Sequence, residues 1–522
     1  MKALGIEFGS TRIKLVLIND KNEIISSGSF VWTNKLIRDT IWTYDLKDAI
    51  YGLQTAYREL KNNYFKLFGE KLVNIDSIGV SGMMHGYLVF DKDFKQLAEF
   101  RTWRNTITSE ASDILTNAFN FPIPQRWSIA HIYQAMLNNE PEVKNIKYAT
   151  TLAGYFHYLL SNRFCLGIGE ASGVFPINIK TKQYDETMLA IFNELSSDKV
   201  PFKIEEVIPE VLMAGEVAGY LTEKGAALLD VDGDLKPGSL MVPPEGDMGT
   251  GMSATNSIKT YTGNVSIGTS SNLTIITGKR IKTSKEVDQI LTPDGNYAAL
   301  IHVNNGTSEI NIFEKMLKEF LDSLCVEKEH DVIYEALFKS ALNKNISLKD
   351  MVAVDYLSGE PITHIKNGQP LTIRKNGASY TLSTYMRLHI YSLLATIHIG
   401  LRQLEEEENI KAKILLGHGG FFKTKGVGNV LFASAINCQV QTFGSANEGG
   451  SFGMALLAKY GLEHNCSLAD FLDKAFANSD RSIVSPDPFF KKEFEDFMVL
   501  YKQALKIERY SLDELKWVEK IC

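Results

Sequence analysis

Residues 5–18 read GIEFGSTRIKLVLI, two short apolar segments rich in β-branched side chains that are separated by Gly9, Ser10, Thr11 and Arg12. This pattern predicts a β-hairpin. A turn of glycine and hydroxyl residues collects backbone N–H groups and hydroxyls in one concavity, which suits an anionic phosphate. The hairpin is therefore a candidate phosphate-binding turn, although the sequence contains neither a P-loop nor a dinucleotide-binding fingerprint.

The same arrangement returns in the second half of the chain. Residues 264–278 read NVSIGTSSNLTIITG, and Gly268 lies 259 residues after Gly9, close to half of the 522-residue length. The repetition indicates an internal duplication, with an N-terminal domain over 1–256 and a C-terminal domain over 257–522. Chance similarity is the alternative, because Gly-Ser/Thr turns are common in hairpins.

The segments between the hairpins alternate between helical and extended patterns. A helical pattern over 45–68 precedes two short apolar segments at 76–82 and 87–91. Such alternation is typical of an α/β layer architecture. In the second half, the stretch 384–404 is apolar on most faces, which predicts a buried helix. The four glutamates of 405–408 are expected to form its solvated exit.

The composition is typical of a soluble globular chain, with 44% hydrophobic and 22% charged residues. The 55 basic and 62 acidic residues give a net charge of −7, which argues against a broad nucleic-acid surface. No stretch approaches the roughly 20 apolar residues of a membrane helix, and the five cysteines form no C-x-x-C motif. We therefore expect a cytoplasmic location and no nucleic-acid or membrane partner. The oligomeric state is open, with a homodimer as the candidate.

Two carboxylates are candidates for chemistry. Asp247 lies in EGDMGTG, after an apolar segment and before a predicted helix rich in small residues. There it could accept the proton of an alcohol during phosphoryl transfer, or it could only cap the following helix. Glu7 precedes the first glycine turn, where it could hold magnesium beside a phosphate. The alternative for Glu7 is the exposed face of an edge strand.

Two further segments could bind a sugar. Residues 82–86 read GMMHG, and their His85 could hydrogen-bond a polyhydroxylated substrate or could be a core residue. In FRTWRN at 100–105, Trp103 and Arg104 combine a flat apolar face with a guanidinium, a pair suited to sugar C–H groups and hydroxyls. The alternative is an ordinary surface loop with a packed tryptophan.

A glycine turn near the C-terminus could bind a nucleotide. Residues 415–423 read LLGHGGFFK and lie between a predicted strand and a predicted helix. Gly419 and Gly420 would allow close backbone approach, and Phe421 would add an aromatic wall for a purine. Alternatively, the glycines serve only the geometry of a tight turn.

Taken in order, these elements resemble the FGGY family of carbohydrate kinases, within the actin, hexokinase and Hsp70 ATPase-like superfamily. The resemblance covers nearly the whole chain and runs through GIEFGSTRIKLVLI (5–18), SGMMHGYLVFD (81–91), TWRN (102–105), EASGVFPI (170–177), GEVAGYLT (215–222), GDMGTGMSA (246–254), SIGTSSNL (266–273), YLSGEPITH (356–364), LLGHGGFFK (415–423) and NEGGSFGMALLA (447–458). It implies an α/β fold of two duplicated ribonuclease H-like domains around a central cleft, with ATP and Mg²⁺ as cofactors.

The resemblance also implies roles for individual residues. Asp247 matches the family's general base, and Glu7 and Asp247 are the implied metal ligands. The element Met84-His85-Gly86 is similar to the xylulokinase and sedoheptulokinase branches, where it contacts the ketose. The implied substrate-binding residues are Met84, His85, Trp103, Arg104 and Asp247. The implied ATP-binding residues are Gly9, Ser10, Thr11, Gly268, Thr269, Ser270, Gly306, Gly419, Gly420 and Phe421.

The chain departs from the family pattern around the substrate. Glu7 stands where the family usually has Asp, Met83 where it has Gln, and Asn105 where it has Asp. Near the nucleotide turn, His418 and Phe421 replace the usual glycine and alanine. The resemblance therefore implies a conserved catalytic core with an altered substrate shell.

The sequence thus predicts an ATP-dependent kinase that phosphorylates a terminal hydroxyl of a small ketose, with a xylulose-like ketopentose as the first candidate. Other acceptors are the alternatives: ribulose, sedoheptulose, a deoxyketohexose, gluconate or glycerol. Two further alternatives are a catalytically weak sugar-binding regulator and an ATPase of the same superfamily that acts as a chaperone or enzyme activator.

Overall fold

A computed structural model describes residues 1–38, 40–282, 287–424, 426–443 and 449–515. The chain divides into two compact units, each assembled from three segments. The first unit comprises Met1–Lys259, Gly278–Ala298 and Glu448–Asn478, and the second comprises Thr260–Thr277, Ala299–Asn447 and Ser479–Cys522. The first unit therefore contains residues from both halves of the sequence, whereas the second begins only at Thr260.

The secondary structure follows the predicted α/β alternation. The strands are β1 Ala3–Phe8, β2 Arg12–Ile18, β3 Ile24–Val31, β4 Lys35–Ile37, β5 Ile41–Thr43, β6 Ser77–Gly82, β7 Leu88–Phe90, β8 Tyr148–Thr150, β9 Cys165–Gly167, β10 Ile177–Asn178, β11 Gln183–Tyr184, β12 Glu210–Leu212, β13 Leu240–Met241, β14 Glu245–Gly246, β15 Thr262–Ile267, β16 Ser271–Ile276, β17 Val287–Leu291, β18 Tyr297–Val303, β19 Met351–Val354, β20 Leu371–Arg374, β21 Ile414–His418, β22 Gln439–Phe443 and β23 Arg481–Val484. The α-helices are α1 Leu46–Phe68, α2 Ser109–Phe119, α3 Ser128–Leu137, α4 Leu152–Ser161, α5 Ile168–Ala171, α6 Glu186–Ser196, α7 Glu223–Leu229, α8 Asp247–Ala254, α9 Ser308–Ser323, α10 His330–Ser340, α11 Leu382–Glu408, α12 Gly428–Ile436, α13 Gly449–Leu462, α14 Leu468–Ala475 and α15 Pro488–Glu514.

The first unit is built on a mixed sheet with the strand order β13-β6-β1-β2-β3, and β14 also pairs with β6. The predicted opening hairpin is present, because β1 and β2 pair antiparallel and are joined by the turn at Gly9. Strand β3 continues the antiparallel meander, whereas β6 runs parallel to β1. Strand β1 therefore lies inside the sheet, which excludes the edge-strand interpretation of Glu7.

The second unit repeats this arrangement. Its hairpin strands β15 and β16 pair antiparallel, and β21 runs parallel to β15. The strand order β22-β21-β15-β16-β18 corresponds one for one to β13-β6-β1-β2-β3 of the first unit. The duplication predicted from the two glycine hairpins is therefore confirmed at the level of strand order.

Helices cover both faces of the first sheet. Alternate residues of β1 face opposite sides: Leu4, Ile6 and Phe8 belong to the core cluster that includes residues of α1. On the other face, a Cβ atom added at Gly5 would overlap the backbone of Ser451 and Ala455 in α13. Because both faces are covered, β1 is apolar almost throughout, as is typical of interior strands with parallel neighbours.

The long helix of the second unit differs in one respect from its prediction. Helix α11 is buried along most of its length, as predicted, and it continues through the glutamates to Glu408. Glu406 and Glu407 are exposed, but Glu408 is only 8% exposed, so the expectation of a solvated exit was wrong for this residue. Within the described ranges, no helix combines the length and apolarity needed to span a membrane.

The close contact at Gly5 gives a stability prediction. Gly5→Ala should lower the Tm by about 4 °C or more, because the added methyl group meets backbone atoms that no side-chain rotation can move aside. Differential scanning calorimetry measures the change. Gly420→Ala is the matched control, because an added Cβ there meets nothing within 4 Å, and its Tm should be unchanged or slightly higher. Equal Tm values for the two variants would contradict the packing argument.

Candidate active site

Three strand ends meet at one edge of the first sheet. Strands β6 and β1 are parallel, with Glu7 opposite Ser81, and β14 is parallel to β6, with Glu245 opposite Ser81. The carboxyl ends of parallel strands are where α/β sheets place their ligand-binding residues. This register brings together Glu7, the residues that follow Gly82, and Asp247, which follows Gly246.

Asp247 is the first residue of α8, which begins directly after β14. Burial raises the pKa of its carboxyl to about 6, and the backbone N–H groups of Met84 and Met248 act in the opposite direction. Asp247 therefore interacts with the backbone at the start of its own helix and with the residue before His85, but the N-cap position is Gly246 and no side chain caps the helix. A carboxylate of this pKa is largely ionised at neutral pH and can accept a proton.

Glu7 lies beside Asp247 and is held by α13. Its Oε2 accepts a hydrogen bond from the backbone N–H of Ser451 at 3.0 Å, at the N-terminal turn of that helix, where the helix dipole favours negative charge. Burial and the charge of Asp247 raise the pKa of Glu7 to about 7, against the opposing effects of Lys14 and of the hydrogen bond from Ser451.

The pair fits a divalent cation bound through few protein ligands. Glu7 and Asp247 are like-charged carboxylates in a buried setting, so a cation between them would relieve their repulsion. Across the part of the chain that the structure describes, no group of three or more His, Cys, Asp or Glu side chains could hold a metal. Two carboxylates completed by water and phosphate oxygens are typical of magnesium rather than of a dedicated protein cage.

The turn between β1 and β2 presents its outer side to solvent. The indole N–H of Trp32 donates to the carbonyl of Gly9 at 2.7 Å, and the hydroxyl of Tyr44 donates to the carbonyl of Ser10 at 2.6 Å. These contacts fix two carbonyl oxygens of the turn on the protein side. Ser10 and Thr11 are exposed, so their hydroxyls are accessible to a ligand.

His85 follows β6 in a strained conformation, with a φ of 70° in the left-handed region. Its Nδ1 lies 3.1 Å from the carbonyl of Gly173, and since a carbonyl can only accept, Nδ1 carries the proton. Burial and then the charge of Arg126 lower the pKa of His85 to about 3, so the ring is neutral. Its Nε2 is therefore a hydrogen-bond acceptor.

The second candidate sugar-binding segment, residues 100–105, has contacts with the scaffold. The guanidinium of Arg104 lies 4.4 Å from the centre of the Trp42 ring, and its charge also lowers the pKa of Tyr44, which burial raises to about 12. Trp103 is half-buried against the core of the first unit. Both candidate residues thus lie near β5 and the tyrosine that holds the phosphate turn.

The hydrogen bonds of Asn105 explain why this chain has an amide where the family usually has Asp. Its Oδ1 accepts from the backbone N–H of Trp42 at 2.9 Å, and its Nδ2 donates to the carbonyl of Trp42 at 2.8 Å. An ionised aspartate could only accept and would leave that carbonyl without this partner. The amide at this position therefore anchors β5.

Two buried glutamates near Asp247 were not predicted from the sequence. Glu245 accepts from the backbone N–H of Gly169 at 3.2 Å and of Glu170 at 3.0 Å, and burial raises its pKa to about 8. The carboxyl of Glu170 is completely buried and lies so close to Gly246 that a Cβ atom there would overlap it. Burial raises the pKa of Glu170 well above its usual value. The only sequence signal for Glu245 and Glu170 was their position in the quoted stretches EGDMGTG and EASGVFPI.

The ion pair between Arg126 and Asp288 was also missed. The charge of Arg126 acts on His85, and the two members of the pair are 162 positions apart in the sequence. No local motif or periodicity connects residues at that separation.

The second unit contains a cavity of about 500 Å³. It is lined by Gly268 of the second predicted phosphate turn and by Gly420 and Phe421 of the predicted nucleotide turn. Its lining residues are Ile267, Gly268, Thr307, Asn311, Asp331, Tyr334, Glu335, Phe338, Gly420, Phe421, Lys423 and Thr424. This volume is in the usual range for small-molecule sites. Gly306 packs against the hairpin turn, where its N–H donates to the carbonyl of Thr269 at 2.8 Å. Gly419 has a φ of 90°, which a glycine adopts without strain.

Comparison with known proteins is consistent with this geometry. Residues 2–233 match the family model for the N-terminal domain of the FGGY family of carbohydrate kinases, and residues 263–462 match the model for its C-terminal domain. The chain is 23% identical to a xylulose kinase of Haemophilus influenzae over 505 residues, covering 91% of this chain and 95% of that protein. It is 24% identical to a glycerol kinase of Thermococcus gammatolerans over 302 residues, covering 55% and 56% of the two chains.

The solved structure of a ligand-bound xylulose kinase from Lactobacillus acidophilus superposes with a TM-score of 0.80. The superposition covers 99% of this chain and 100% of that one, at 16% sequence identity. At this identity the likeness establishes the two-domain fold.

The raised pKa of Asp247 gives a second stability prediction. Because the folded chain binds this proton more tightly than the unfolded chain, stability falls as the pH rises from 3.8, the ordinary pKa of the group, to about 6, and the full cost remains at higher pH. Asp247→Asn should therefore raise the Tm at pH 8 by about 2 °C or more, and the gain should shrink as the pH is lowered to 5. Thermal unfolding across this pH range, with the exposed Asp93→Asn as control, measures the difference. A Tm gain that is independent of pH would contradict the assignment.

Proposed function

The chain belongs to the FGGY family of carbohydrate kinases, and we propose that it transfers the γ-phosphate of ATP to a terminal hydroxyl of a small ketose, with a xylulose-like ketopentose as the first candidate. The choice of acceptor rests on how much of this chain each relative matches. The match to the Haemophilus influenzae xylulose kinase covers 91% of this chain, whereas the match to the glycerol kinase covers 55%. The element Met84-His85 supports the same choice.

In this proposal Asp247 is the general base. Its carboxylate accepts the proton of the attacking hydroxyl, and the N–H of Met84 holds it in position at the start of α8. The Nε2 atom of neutral His85 accepts a hydrogen bond from a second hydroxyl of the sugar. Trp103 and Arg104 complete the sugar side of the site.

Glu7 and Asp247 would hold the magnesium ion, with Ser451 fixing the orientation of Glu7. When bound, the ion supplies charge neutralisation at the phosphate oxygens. The proposed ATP-phosphate-binding residues are those of the first phosphate turn, Gly9, Ser10 and Thr11, and those of the second, Gly268, Thr269 and Ser270. The adenosine occupies the cavity at Gly419, Gly420 and Phe421, with Gly306 supporting the second turn.

Other acceptors are second candidates: ribulose, sedoheptulose, a deoxyketohexose, gluconate and glycerol. The alternative of a weakly catalytic regulator rests on Glu7, Met83 and Asn105, which replace the usual residues. We also propose a cytoplasmic location. The cysteines that the structure describes, Cys165, Cys325, Cys438 and Cys466, are free thiols, as is usual in a reducing compartment. We propose in addition that the protein forms a homodimer.

A screen of acceptors tests the function itself. Coupled ADP release with ATP and magnesium should show saturable turnover with a ketopentose, and weaker turnover with ketoheptoses, deoxyketohexoses, aldonates and polyols. Tight sugar binding without phosphorylated product would instead support the regulator. ADP release at the same rate with and without sugar would support the alternative of an ATPase that acts as a chaperone or enzyme activator.

Replacement of the general base tests the mechanism. Asp247→Asn should lower kcat by about 10²- to 10⁴-fold, because the amide cannot accept the hydroxyl proton, while ATP binding is retained. Steady-state kinetics and nucleotide titration measure the two effects. The control variant Asp93→Asn, at an exposed position, should behave as the wild type. Near-normal turnover of Asp247→Asn would refute the assignment.

The pH profile tests the ionisation state of the same residue. Since Asp247 must be ionised to accept a proton, kcat/KM should fall as the pH drops below about 6. Initial rates between pH 5 and 9 at saturating magnesium measure the profile. A kcat/KM that is constant down to pH 5 would show that the base has a lower pKa than the structure gives Asp247.

A further inference from the structure

Helix α9 of the second unit carries a row of apolar side chains on one face. Ile312, Met316 and Phe320 follow one another at intervals of four residues, and Leu324 continues the row directly after the helix. Their exposed fractions are 52%, 56%, 58% and 57%. Because four residues exceed one helical turn by about 40°, three such steps keep the four side chains within about 120° of the helix surface. We call these four residues the α9 stripe.

The other side of α9 is packed against the second unit. Ile310 and Glu314 are buried, and the Oε1 atom of Glu314 lies 2.7 Å from the Nδ1 atom of His330 in α10. The ring of Phe313 contacts that of Tyr385 in α11, with centroids 3.9 Å apart. These contacts fix the helix from one side and leave the α9 stripe facing solvent.

An unbroken apolar row of this length differs from ordinary surface residues. Single apolar side chains are common on protein surfaces, whereas a contiguous group of them marks an interaction surface. Helix α15 of the same unit shows the ordinary case. Its Val499 and Ile507 are exposed, but the exposed Gln503 lies between them at the same spacing of four. The α9 stripe has no such polar interruption.

One flank of the α9 stripe carries two opposite charges. Lys315 and Glu319 are both exposed and lie about one turn apart on that flank. Among the described residues neither of them forms an ion pair, although the neighbouring Lys318 pairs with Asp322. A lysine four residues before a glutamate is the less favourable order for a pair within one helix. The two charges are therefore available to a partner.

The apolar row is complementary to a second copy of itself. In a twofold-symmetric interface the same surface patch is used by both subunits, so every contact occurs twice. A twofold axis perpendicular to α9, midway between Met316 and Phe320, places Met316 opposite the partner's Phe320. The same axis places Ile312 opposite the partner's Leu324. The two stripes then face each other along their whole length.

The charges are complementary under the same axis. Because the axis keeps equivalent flanks on the same side, the flank of Lys315 lies beside the corresponding flank of the second helix. Lys315 then comes within one turn of the partner's Glu319, and the symmetry repeats this pair. A parallel arrangement of the two helices would instead bring like residues level with each other.

We propose that the α9 stripe is the apolar centre of a homodimer interface in which α9 packs antiparallel against α9 of a second copy. Two ion pairs between Lys315 and the partner's Glu319 lie at its rim, as charged flanks do in coiled coils. A standard interface buries about 800 Å² on each partner, and one helix face supplies only part of that area. Val332, 52% exposed at the start of α10, adds to it. This inference rests on the proposed homodimer and adds the surface that forms it.

Met316→Glu tests the apolar contact. Association would bury two carboxylates without partners, so the Kd of the dimer should rise about 30-fold or more. Sedimentation velocity of the full-length chain, from nanomolar to high micromolar concentrations, measures the Kd. Val499→Glu is the matched control, because it places the same charge on a 61% exposed apolar position of α15. Its Kd should equal that of the wild type.

Lys315→Glu and Glu319→Lys test the antiparallel orientation. Each single replacement puts like charges across the interface twice, so each should raise the Kd about 10-fold. The double variant exchanges the two charges and restores both pairs, so its Kd should return to within about 3-fold of the wild type. A double variant whose Kd is raised by the product of the two single effects would overturn this orientation.

The outcomes separate this inference from the proposals on which it rests. If the wild type is monomeric at every concentration, the proposed homodimer and the inference both fail. If the wild type is a dimer whose Kd Met316→Glu and the charge variants leave unchanged, only the inference fails. If Met316→Glu lacks a cooperative unfolding transition, the charge variants, which alter exposed side chains alone, decide the question. The measurement needs no sugar or ATP, so failure of the acceptor screen does not affect it.

Discussion

The site depends on the register of three parallel strands. With Glu7 and Glu245 both opposite Ser81, the ends of β1, β6 and β14 are level, and the carboxylates that follow them are drawn into one region. Burial then raises the pKa values of both Glu7 and Asp247, and the charge of Asp247 also raises that of Glu7. Backbone N–H groups from α13 and from the loop after β6 oppose this effect. A shift of β1 by one residue would turn Glu7 to the opposite face and disperse the pair.

Much of the fold could be predicted from local patterns. Both hairpins have glycine turns between β-branched segments, and Asp247 marks a change from strand to helix, so short-range chemistry was sufficient for them. The interior position of β1 could not be inferred in this way, because it results from pairing with β6 about 70 residues later. Glu408 was misjudged because the run of four glutamates looks uniformly solvated, although only some of them face outward.

The site was less predictable than the fold. Arg126 and Asp288 have ordinary local sequences, and their relationship exists only because the segment Gly278–Ala298 belongs to the first unit while β16 before it belongs to the second. The replacement of the usual Asp by Asn105 could be recognised in the sequence, but its structural role could not be predicted from it. Its two hydrogen bonds to the backbone of Trp42 show that an altered family position can serve the scaffold.

Helix α13 lies late in the sequence but belongs to the first unit, and this has a consequence for biosynthesis. Residues 1–259 emerge from the ribosome long before Gly449–Leu462, yet this helix covers Gly5 and binds the carboxylate of Glu7. Until then, one face of the central sheet lacks its cover, and exposed apolar surface of this kind favours aggregation. The N-terminal unit is thus finished by one of the last segments to be translated, so a truncated chain would lack part of its first unit as well as its second.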